Sequence, residues 1–312
     1  MNLQIKISRG GTVYIPAVTD GAVWETEIAG APGRFVFSVR DGGALRMDGG
    51  DAVSVTGDGQ NVFFGYIFTR RADQTGTASV TAYDQTRYLK NRDTCVYDGI
   101  TASALLRRVA ADNGLRTGTI DDTGVLLEPC AEDNKSLADI LRNALARTEA
   151  AGGGRFVLYD DFGELTLRRA GEMRRGLLIG SDGGRTFTRT ATIDWDTYNT
   201  VKLVCDKKKG RTVHTASDAQ NVSRWGKLQY FGKLADDFNG GAKAGELLRL
   251  HNRERRELFV GGAPGDCSVR AGCSLAVSGE LTGGGDAPYT VERARHVWKN
   301  GRYFMDLTLT EV

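Results

Sequence analysis

Gly50–Gly57, with the sequence GDAVSVTG, leads through a short turn into the apolar run Val62–Phe68, VFFGYIF. Between Gly50 and Gly57, apolar and polar residues alternate, which is the pattern of a half-buried β-strand, and the two glycines bracket this strand. Near the other end of the chain, Gly272–Gly279, GCSLAVSG, repeats the pattern and leads into Tyr289–Ala294, YTVERA. A hairpin then returns through Tyr303–Leu309. The sequence therefore predicts one small β motif used twice.

The two motifs correspond residue by residue at their apolar positions. Val53 and Val55 of the first motif match Leu275 and Val277 of the second. Two similar motifs in one chain present two near-equivalent surfaces for assembly. Three such chains could therefore form a ring of six similar parts, which is one way to meet a symmetry mismatch between partners.

The composition supports a β-rich protein with many tight turns. The chain has 312 residues, with 41 glycines and 5 prolines, and its net charge is only +2. The near-neutral charge gives no reason to expect a nucleic acid or an acidic substrate as partner. We expect the five cysteines to be reduced, small apolar residues, because they form no metal-binding pair and no signal peptide or membrane span precedes them.

The chain divides into three predicted parts, and the fold class is mainly β with an α+β insertion. Residues 1–92 are predicted to form a first antiparallel β-barrel, which is either complete in itself or completed by later strands. Residues 93–172 form a helix-containing middle domain, with helices that begin near Thr101 and Ser136. Residues 173–312 form a second, similar β-barrel, with one helix near 241–256.

Catalytic motifs do not emerge from the sequence. The three histidines have no metal-ligand spacing, and we expect structural roles for them. The carboxylate doublets Asp160-Asp161 and Asp236-Asp237 could in principle serve as the acid pair of a glycoside hydrolase. Both lie in turn-like surroundings, however, where such side chains cap backbone amides.

Two segments are candidates for docking a partner protein. Arg224 and Trp225 lie in an irregular stretch and belong to the residue types that anchor interfaces. Lys207, Lys208 and Lys209 form a basic patch where two strands turn, which is either a solvated hairpin tip or a contact with an acidic surface.

Five segments together carry a resemblance that spans most of the chain, namely Gly50–Tyr66, Thr81–Asn91, Asp98–Leu115, Ala219–Tyr230 and Tyr289–Leu309. In this order and spacing they resemble the baseplate hub family of contractile-tailed phages, prophages and phage-tail-like bacteriocins. The resemblance implies a homotrimer whose paired β-barrels form a pseudo-sixfold ring between the tail tube and the central spike.

The same resemblance implies the partners and the location of the protein. The partners would be further copies of the chain, the tail tube protein, the central spike protein, the tape-measure protein and other baseplate proteins. No membrane and no sequence-specific nucleic acid would be bound, although DNA can pass through the lumen of such a ring. The protein would be assembled in the bacterial host cytoplasm and reside in a virion or tail-like particle. The family supplies no catalytic residue, metal or cofactor, so we expect no enzymatic activity.

Two alternatives remain at this point. One is a cell-wall-degrading hydrolase that uses a carboxylate pair. The other is a carbohydrate- or receptor-binding β module, in which Trp24, Trp195 and Trp225 would lie on the surface.

Overall fold

The computed structural model describes residues 1–19, 21–28, 30–40, 45–180, 186–194, 196–207, 210–234 and 239–311. In these residues the chain is mainly β, with a helix-containing middle segment, as the sequence predicts.

The first third of the chain is entirely β up to a short 3₁₀ turn. Its strands are β1 (Leu3–Arg9), β2 (Thr12–Tyr14), β3 (Ala22–Glu27), β4 (Arg34–Arg40), β5 (Ala52–Gly57), β6 (Gln60–Ala72) and β7 (Thr77–Tyr83). They lie in the order β2-β1-β5-β6-β7-β4-β3, with every pairing antiparallel. Alternate residues such as Phe35 and Phe37 are fully buried, because successive side chains of a strand point to opposite faces.

The middle segment packs two helices against small sheets. Its elements are β8 (Arg92–Tyr97), α1 (Ala102–Asp112), β9 (Thr117–Ile120), β10 (Cys130–Ser136), α2 (Leu137–Ala150), β11 (Phe156–Asp160) and β12 (Leu165–Arg169). The predicted starts of both helices are confirmed. Thr101 and Ser136 are the N-caps, and their hydroxyls accept hydrogen bonds from the amides of Ala104 and Asp139.

The last part returns to β structure around a small inserted unit. Its elements are β13 (Arg174–Ile179), β14 (Thr186–Thr192), β15 (Thr200–Lys207), β16 (Gly210–Ser217), α3 (Ala219–Trp225), β17 (Gln229–Leu234), α4 (Gly240–His251), β18 (Arg255–Pro264), β19 (Ser274–Val277), α5 (Gly279–Thr282), β20 (Ala287–Lys299) and β21 (Arg302–Glu311). β15, β16 and β17 form their own sheet. α4 packs on that sheet through Ala244, which is buried with Val201 and Leu203.

The early and late β parts join into one 13-stranded sheet within the described residues. The two β parts are therefore hydrogen-bonded to each other, and the ladder branches at β20, which pairs with β19, β21 and β3. Each part nevertheless keeps its own hydrophobic core. One cluster includes Phe35, Phe37 and Val55, and the other includes Leu258, Val277 and Leu307.

Two local predictions need correction. The late helix α4 ends at His251 and not near 256, because β18 begins at Arg255. The segment around Arg224 and Trp225 is not irregular but is the short helix α3, with Asp218 as its N-cap. Its seven residues are too few to show an apolar period of 3.6, so the pattern gave no helical signal.

Candidate subunit interface

The same five-strand arrangement occurs twice in the chain. In the first copy β3, β4, β5, β6 and β7 follow in sequence and lie in the sheet order β5-β6-β7-β4-β3. In the second copy β14, β18, β19, β20 and β21 lie in the corresponding order β19-β20-β21-β18-β14. The motif repeat that the sequence predicts is therefore present as a repeated strand topology. The small unit formed by β15 to β17 and α4 is inserted between the first two strands of the second copy.

A β-bulge fixes the residue-level alignment of the two copies. Between β6 and β7, the ladder pairs Ile67 with Ala82 and resumes at Thr69, so that Phe68 is the extra residue. Between β20 and β21, the ladder pairs Val291 with Leu309 and resumes at Arg293, so that Glu292 is the extra residue. Bulges are positional features of a fold, and their recurrence shows that the copies correspond without a register shift.

The two copies meet in the sheet through one junction. The part of β20 beyond its bulge pairs with β3 in antiparallel register, from Arg293 opposite Glu27 to Trp298 opposite Ala22. This junction thus joins the fourth strand of the second copy to the first strand of the first copy. Beyond the strand pairs, the amide of Ile28 donates to the carbonyl of Glu292 at 3.0 Å.

Side chains reinforce the junction on both faces. On one face Glu25, which is largely buried, receives Arg34 at 2.9 Å, Arg293 at 3.4 Å and Arg295 at 3.3 Å. On the other face the rings of Trp24 and His296 stack with centroids 4.8 Å apart. A half-buried carboxylate shared by three arginines stabilises a junction more than an isolated surface pair does.

His296 is buried and neutral. Its Nε2 donates to the carbonyl of Val269 at 2.9 Å, so its Nδ1 accepts from the hydroxyl of Tyr303 at 2.9 Å. Burial lowers the pKa of His296 to about 4, because the low dielectric disfavours the charged ring. The structural role expected for this histidine is thus seen directly.

Two strand edges that correspond to the junction are exposed. The distal half of β6, Thr69–Ala72, bonds to β7 on one side, and its other edge has no strand partner in the described residues. Within the described residues, the strand β14 likewise pairs only with β18. Phe68 beside the first edge is 38% exposed and Phe187 on the second is 51% exposed. In the first copy the equivalent of Phe187 is Ala22, which is buried under the junction.

Neither edge was singled out in the sequence. The sequence of β14 gives no clear signal, because the face that carries Phe187 and Ala191 also carries Arg189.

A cavity of about 260 Å³ lies between the first β copy and the middle segment. Its lining includes Asp84, Asp160 and Arg270, with apolar walls from Leu89 and Phe156. The guanidinium of Arg270 lies 3.9 Å from the ring centroid of Tyr159 and donates to the carbonyl of Asp160 at 2.7 Å. Among the described residues, Oδ2 of Asp160 has no hydrogen-bond partner.

Both cavity carboxyls favour the protonated form more than ordinary aspartates do. Burial, and secondarily the neighbouring Asp160, raises the pKa of Asp84 to about 8. Burial also raises the pKa of Asp160 to about 6. Such shifts are typical of catalytic acids, but here the carboxyls hold backbone in place. Asp84 accepts from the amide of Thr86 at 3.0 Å. Asp160 accepts from the amide of Gly163 at 2.7 Å, which is the turn-capping role expected for this residue from the sequence.

The predicted docking residues do not form one surface. Arg224 is exposed at the end of α3 and lies over the half-buried ring of Trp225, 5.5 Å from its centroid. Lys207 lies at the far end of β15, opposite Gly210. An eight-residue strand spans about 23 Å, so these two candidates are at opposite ends of the inserted unit. Lys208 and Lys209 lie outside the described residues.

The surroundings of other residues named in the sequence analysis are also defined. Trp24 is buried at 4% exposure, so it is not a surface ring, and Trp195 lies outside the described residues, as do Asp236 and Asp237. All five cysteines are free thiols. The part of the chain that the structure describes contains no cluster of metal-ligating side chains. Among those residues, no helix is long and apolar enough to cross a bilayer.

Comparison with solved structures identifies the fold as that of phage tail proteins. The chain is similar to the 43 kDa tail protein of prophage MuSo2 from Shewanella oneidensis, with a TM-score of 0.70, 15% identity and 98% of each chain covered. It is also similar to the tail protein from Neisseria meningitidis MC58, with a TM-score of 0.71, 14% identity and coverage of 100% of this chain and 97% of the other.

Sequence comparison then gives the family. Residues 22–310 match the family described as YQBQ-like. The Phage-like element PBSX protein XkdQ of Bacillus subtilis (strain 168) is 28% identical over 267 residues, which are 84% of this chain and 82% of XkdQ. The chain belongs to the YQBQ-like family.

Proposed function

We propose that this protein is the baseplate hub of a contractile tail or tail-like particle, a structural protein and not an enzyme. Three copies form a pseudo-sixfold ring that joins the tail tube to the central spike. The observation that carries this proposal is the repeated sheet β5-β6-β7-β4-β3 and β19-β20-β21-β18-β14. Three chains with two such copies present six similar faces, which suits a sixfold partner on one side and a threefold partner on the other.

The relatives support the same assignment. The similar structures from Shewanella and Neisseria are tail proteins, and XkdQ is a protein of a phage-like element. The tail tube and the spike are the proposed direct partners, with the tape-measure protein and other baseplate proteins as neighbours. The particle, assembled in a bacterial cytoplasm, is the proposed location.

The inserted unit is proposed as the part that contacts a partner other than the ring. Arg224 and Trp225 provide an exposed guanidinium on an aromatic ring, which is a common form of interface anchor. Lys207, at the other end of the unit, is proposed to face an acidic surface together with Lys208 and Lys209, which lie outside the described residues. Co-purification of the tagged spike or tube protein with wild type and with Trp225→Ala tests the first contact. Unchanged capture by the variant would refute it.

The ring itself is tested by the mass of the purified protein in solution. Light scattering across a concentration series is expected to give three times the chain mass of 33.8 kDa. Electron micrographs of that fraction are expected to show rings with a central channel. A discrete dimer or tetramer would contradict the proposal.

A further inference from the structure

We propose that the cavity between the first β copy and the middle segment binds a primary alkylammonium group, with the ammonium on Asp84 and Asp160 and the alkyl stem on the apolar walls. The group can belong to a free amine or to a lysine side chain of another protein. This site goes beyond the proposed function, because it lies within one chain and does not depend on a ring.

One face of α2 forms a long wall of the cavity. Five residues of this helix line it at positions i, i+4, i+7, i+8 and i+11, namely Ala138, Arg142, Leu145, Ala146 and Glu149. Residues at this spacing share one helix face. The buried side chains of Leu89 and Phe156 also line the cavity. Ala146 is exposed, so the cavity reaches solvent beside it. An aliphatic stem that enters there has apolar side chains to contact along its length.

The polar part of the cavity is formed by Asp84 and Asp160, each only 5% exposed. Oδ1 of Asp84 accepts hydrogen bonds from both the amide and the hydroxyl of Thr86. Oδ1 of Asp160 accepts from the amide of Gly163. Oδ2 of Asp160, in contrast, has no hydrogen-bond partner among the described residues. Because an unpaired buried polar atom costs free energy, a ligand that donates a hydrogen bond here is favoured.

The loop before β4 leaves space beside the other oxygen of Asp84. A Cβ at position 33 would lie 2.2 Å from Oδ2 of Asp84, so a residue other than Gly33 would cover or displace that oxygen. An ammonium group has three hydrogen-bond donors and no acceptor. It can therefore donate to Oδ2 of both aspartates, while their Oδ1 atoms keep the backbone in place.

The ionisation of Asp84 determines the sign of the ligand charge. Burial, and secondarily the charge of Asp160, raises the pKa of Asp84 to about 8, and the opposing influence of Arg270 is smaller. The cavity therefore disfavours a second negative charge and favours a positive one. A deeply buried carboxylate is stable only with a cation beside it. A ligand cation would take the place of the proton on Asp84.

The arginines at the cavity are engaged with other groups. Arg142 forms an ion pair with Asp139. Arg155 lies 3.6 Å from a carboxylate oxygen of Glu292. Arg270 stacks on an aromatic ring of β11 at 3.9 Å and donates to a backbone carbonyl at 2.7 Å. These contacts direct the guanidinium groups to other partners, so the cavity suits a cation better than an anion.

The test is ligand-observed saturation-transfer NMR with the whole protein and n-pentylamine. 1-Pentanol has the same stem without the charge, and pentanoate has the opposite charge. We expect pentylamine to bind at least about tenfold more tightly than either, because only it can replace the proton on Asp84. n-Propylamine, which lacks two methylene groups, should bind about tenfold more weakly than pentylamine, since each buried methylene contributes to affinity.

The affinity should also rise with pH. An alkylammonium stays charged up to about pH 10, whereas Asp84, with its pKa of about 8, is mostly protonated at pH 6. We therefore expect the Kd of pentylamine to fall by more than about tenfold between pH 6 and pH 8. Asp160, with a pKa of about 6, contributes to the lower part of this range. The other charged groups at the cavity are Glu27, Arg142, Glu149, Arg155 and Arg270.

Two variants locate the site. Asp84→Asn keeps the shape of the side chain but cannot ionise, so it should weaken pentylamine binding at pH 8 by about tenfold and remove most of the pH dependence. Ala146→Leu places a larger side chain at the cavity and should weaken binding to a similar extent. Leucine is a good helix former, so this variant should fold even if Asp84→Asn does not. Asp73→Asn, at an exposed turn, is the matched control and should bind as wild type does.

Three results would overturn the proposal. The first is an equal Kd for pentylamine and 1-pentanol, which would make the cavity merely apolar. The second is no saturation transfer to pentylamine at pH 8, which would leave the cavity to water. The third is wild-type affinity in Ala146→Leu, which would place the amine elsewhere.

The two sources of the ammonium are separated by Nα-acetyl-lysine methylamide, which carries a lysine side chain between two peptide groups. Binding of this compound supports a lysine side chain of another protein as the natural ligand. Binding of pentylamine alone supports a free amine. Neither result bears on the mass of the protein in solution, so this site and the ring are tested independently.

Discussion

The imidazole of His296 stacks on the indole of Trp24, with centroids 4.8 Å apart and planes inclined by 26°. Trp24 is in β3 and His296 is in β20, so this pair lies on the seam between the two copies of the repeated sheet. Trp298 and Tyr303 continue the stack with a centroid distance of 4.5 Å. A column of stacked aromatic rings thus occupies the core along the seam. Substitutions in this column should lower the stability of both copies.

His296→Phe should destabilise the protein. The variant keeps a ring of similar size but leaves the carbonyl of Val269 without its partner and leaves the hydroxyl of Tyr303 only its contact with Sγ of Cys267 at 3.1 Å. The loss of two buried hydrogen bonds predicts a loss of about 3 kcal/mol in the free energy of unfolding. Urea denaturation followed by tryptophan fluorescence measures it. Trp24→Phe, which preserves both hydrogen bonds, is the control and should lose less.

The same histidine should make the wild type acid-sensitive. The pKa of His296 in the folded state is lowered from the ordinary value of 6.5 to about 4. Between these two pH values the unfolded chain therefore binds a proton at this residue that the folded chain does not bind. Stability from this residue is full above pH 6.5 and falls as the pH drops towards 4, by about 1 kcal/mol per pH unit. His296→Phe should lack this component. Identical acid dependence in the two proteins would show that the ring is not buried neutral.

Gly65→Ala should be severely destabilising. A Cβ at this position would overlap the backbone carbonyl of Tyr83 on the neighbouring strand, and backbone cannot move aside cheaply. We expect a loss of more than about 3 kcal/mol, or insoluble protein. Gly176→Ala in strand β13 is the matched control, because nothing lies within 4 Å of its Cβ position. A normal thermal midpoint for Gly65→Ala would contradict the close approach of β6 and β7.

Asp84→Asn should stabilise the protein at alkaline pH. Because the folded pKa of Asp84 is raised to about 8, the folded state holds a proton that the unfolded state has already lost. Wild-type stability is therefore greatest below the ordinary pKa of 3.8 for this carboxyl and declines as the pH rises towards 8.

The asparagine has no such proton, so its advantage over wild type should grow between pH 5 and 8, by up to about 1 kcal/mol per pH unit. Chemical denaturation at several pH values provides the measurement. Asp73→Asn, at an exposed turn whose pKa is lowered by Thr75, should show no such gain. A constant difference between Asp84→Asn and wild type would mean that Asp84 is charged throughout.

The sequence was sufficient for the local elements and for the repeat. The caps Thr101 and Ser136 lie just before apolar residues at helical spacing, and both helices begin where that pattern predicts. Val53, Val55, Leu275 and Val277 alternate with polar residues, and all four are buried. Both signals are local, because they depend only on which face of an element is covered.

The junction and the open edges could not be predicted in that way. The partner of Trp24 is His296, and no property of either residue identifies a contact over such a sequence distance. β14 carries Arg189 and five threonine or alanine positions, so its outer face shows no clear alternation. Asp160 was correctly predicted to cap a turn, but its burial depends on Arg270, which comes from a distant segment and donates to its carbonyl. Arg224 and Trp225 remain a predicted docking site.

The pairing of β3 with β20 has a consequence for synthesis of the chain on the ribosome. β3 is made among the first residues, but the strand that completes its edge is not available until Trp298 has left the ribosome. During that interval Trp24 lacks the ring of His296, and the edge of β3 is open to wrong partners. The first copy therefore reaches its final stability only after nearly the whole chain has been synthesised. Contacts between residues this far apart in sequence also form slowly. Translation rate and chaperone supply, more than the stability of the finished fold, should set the yield of soluble protein.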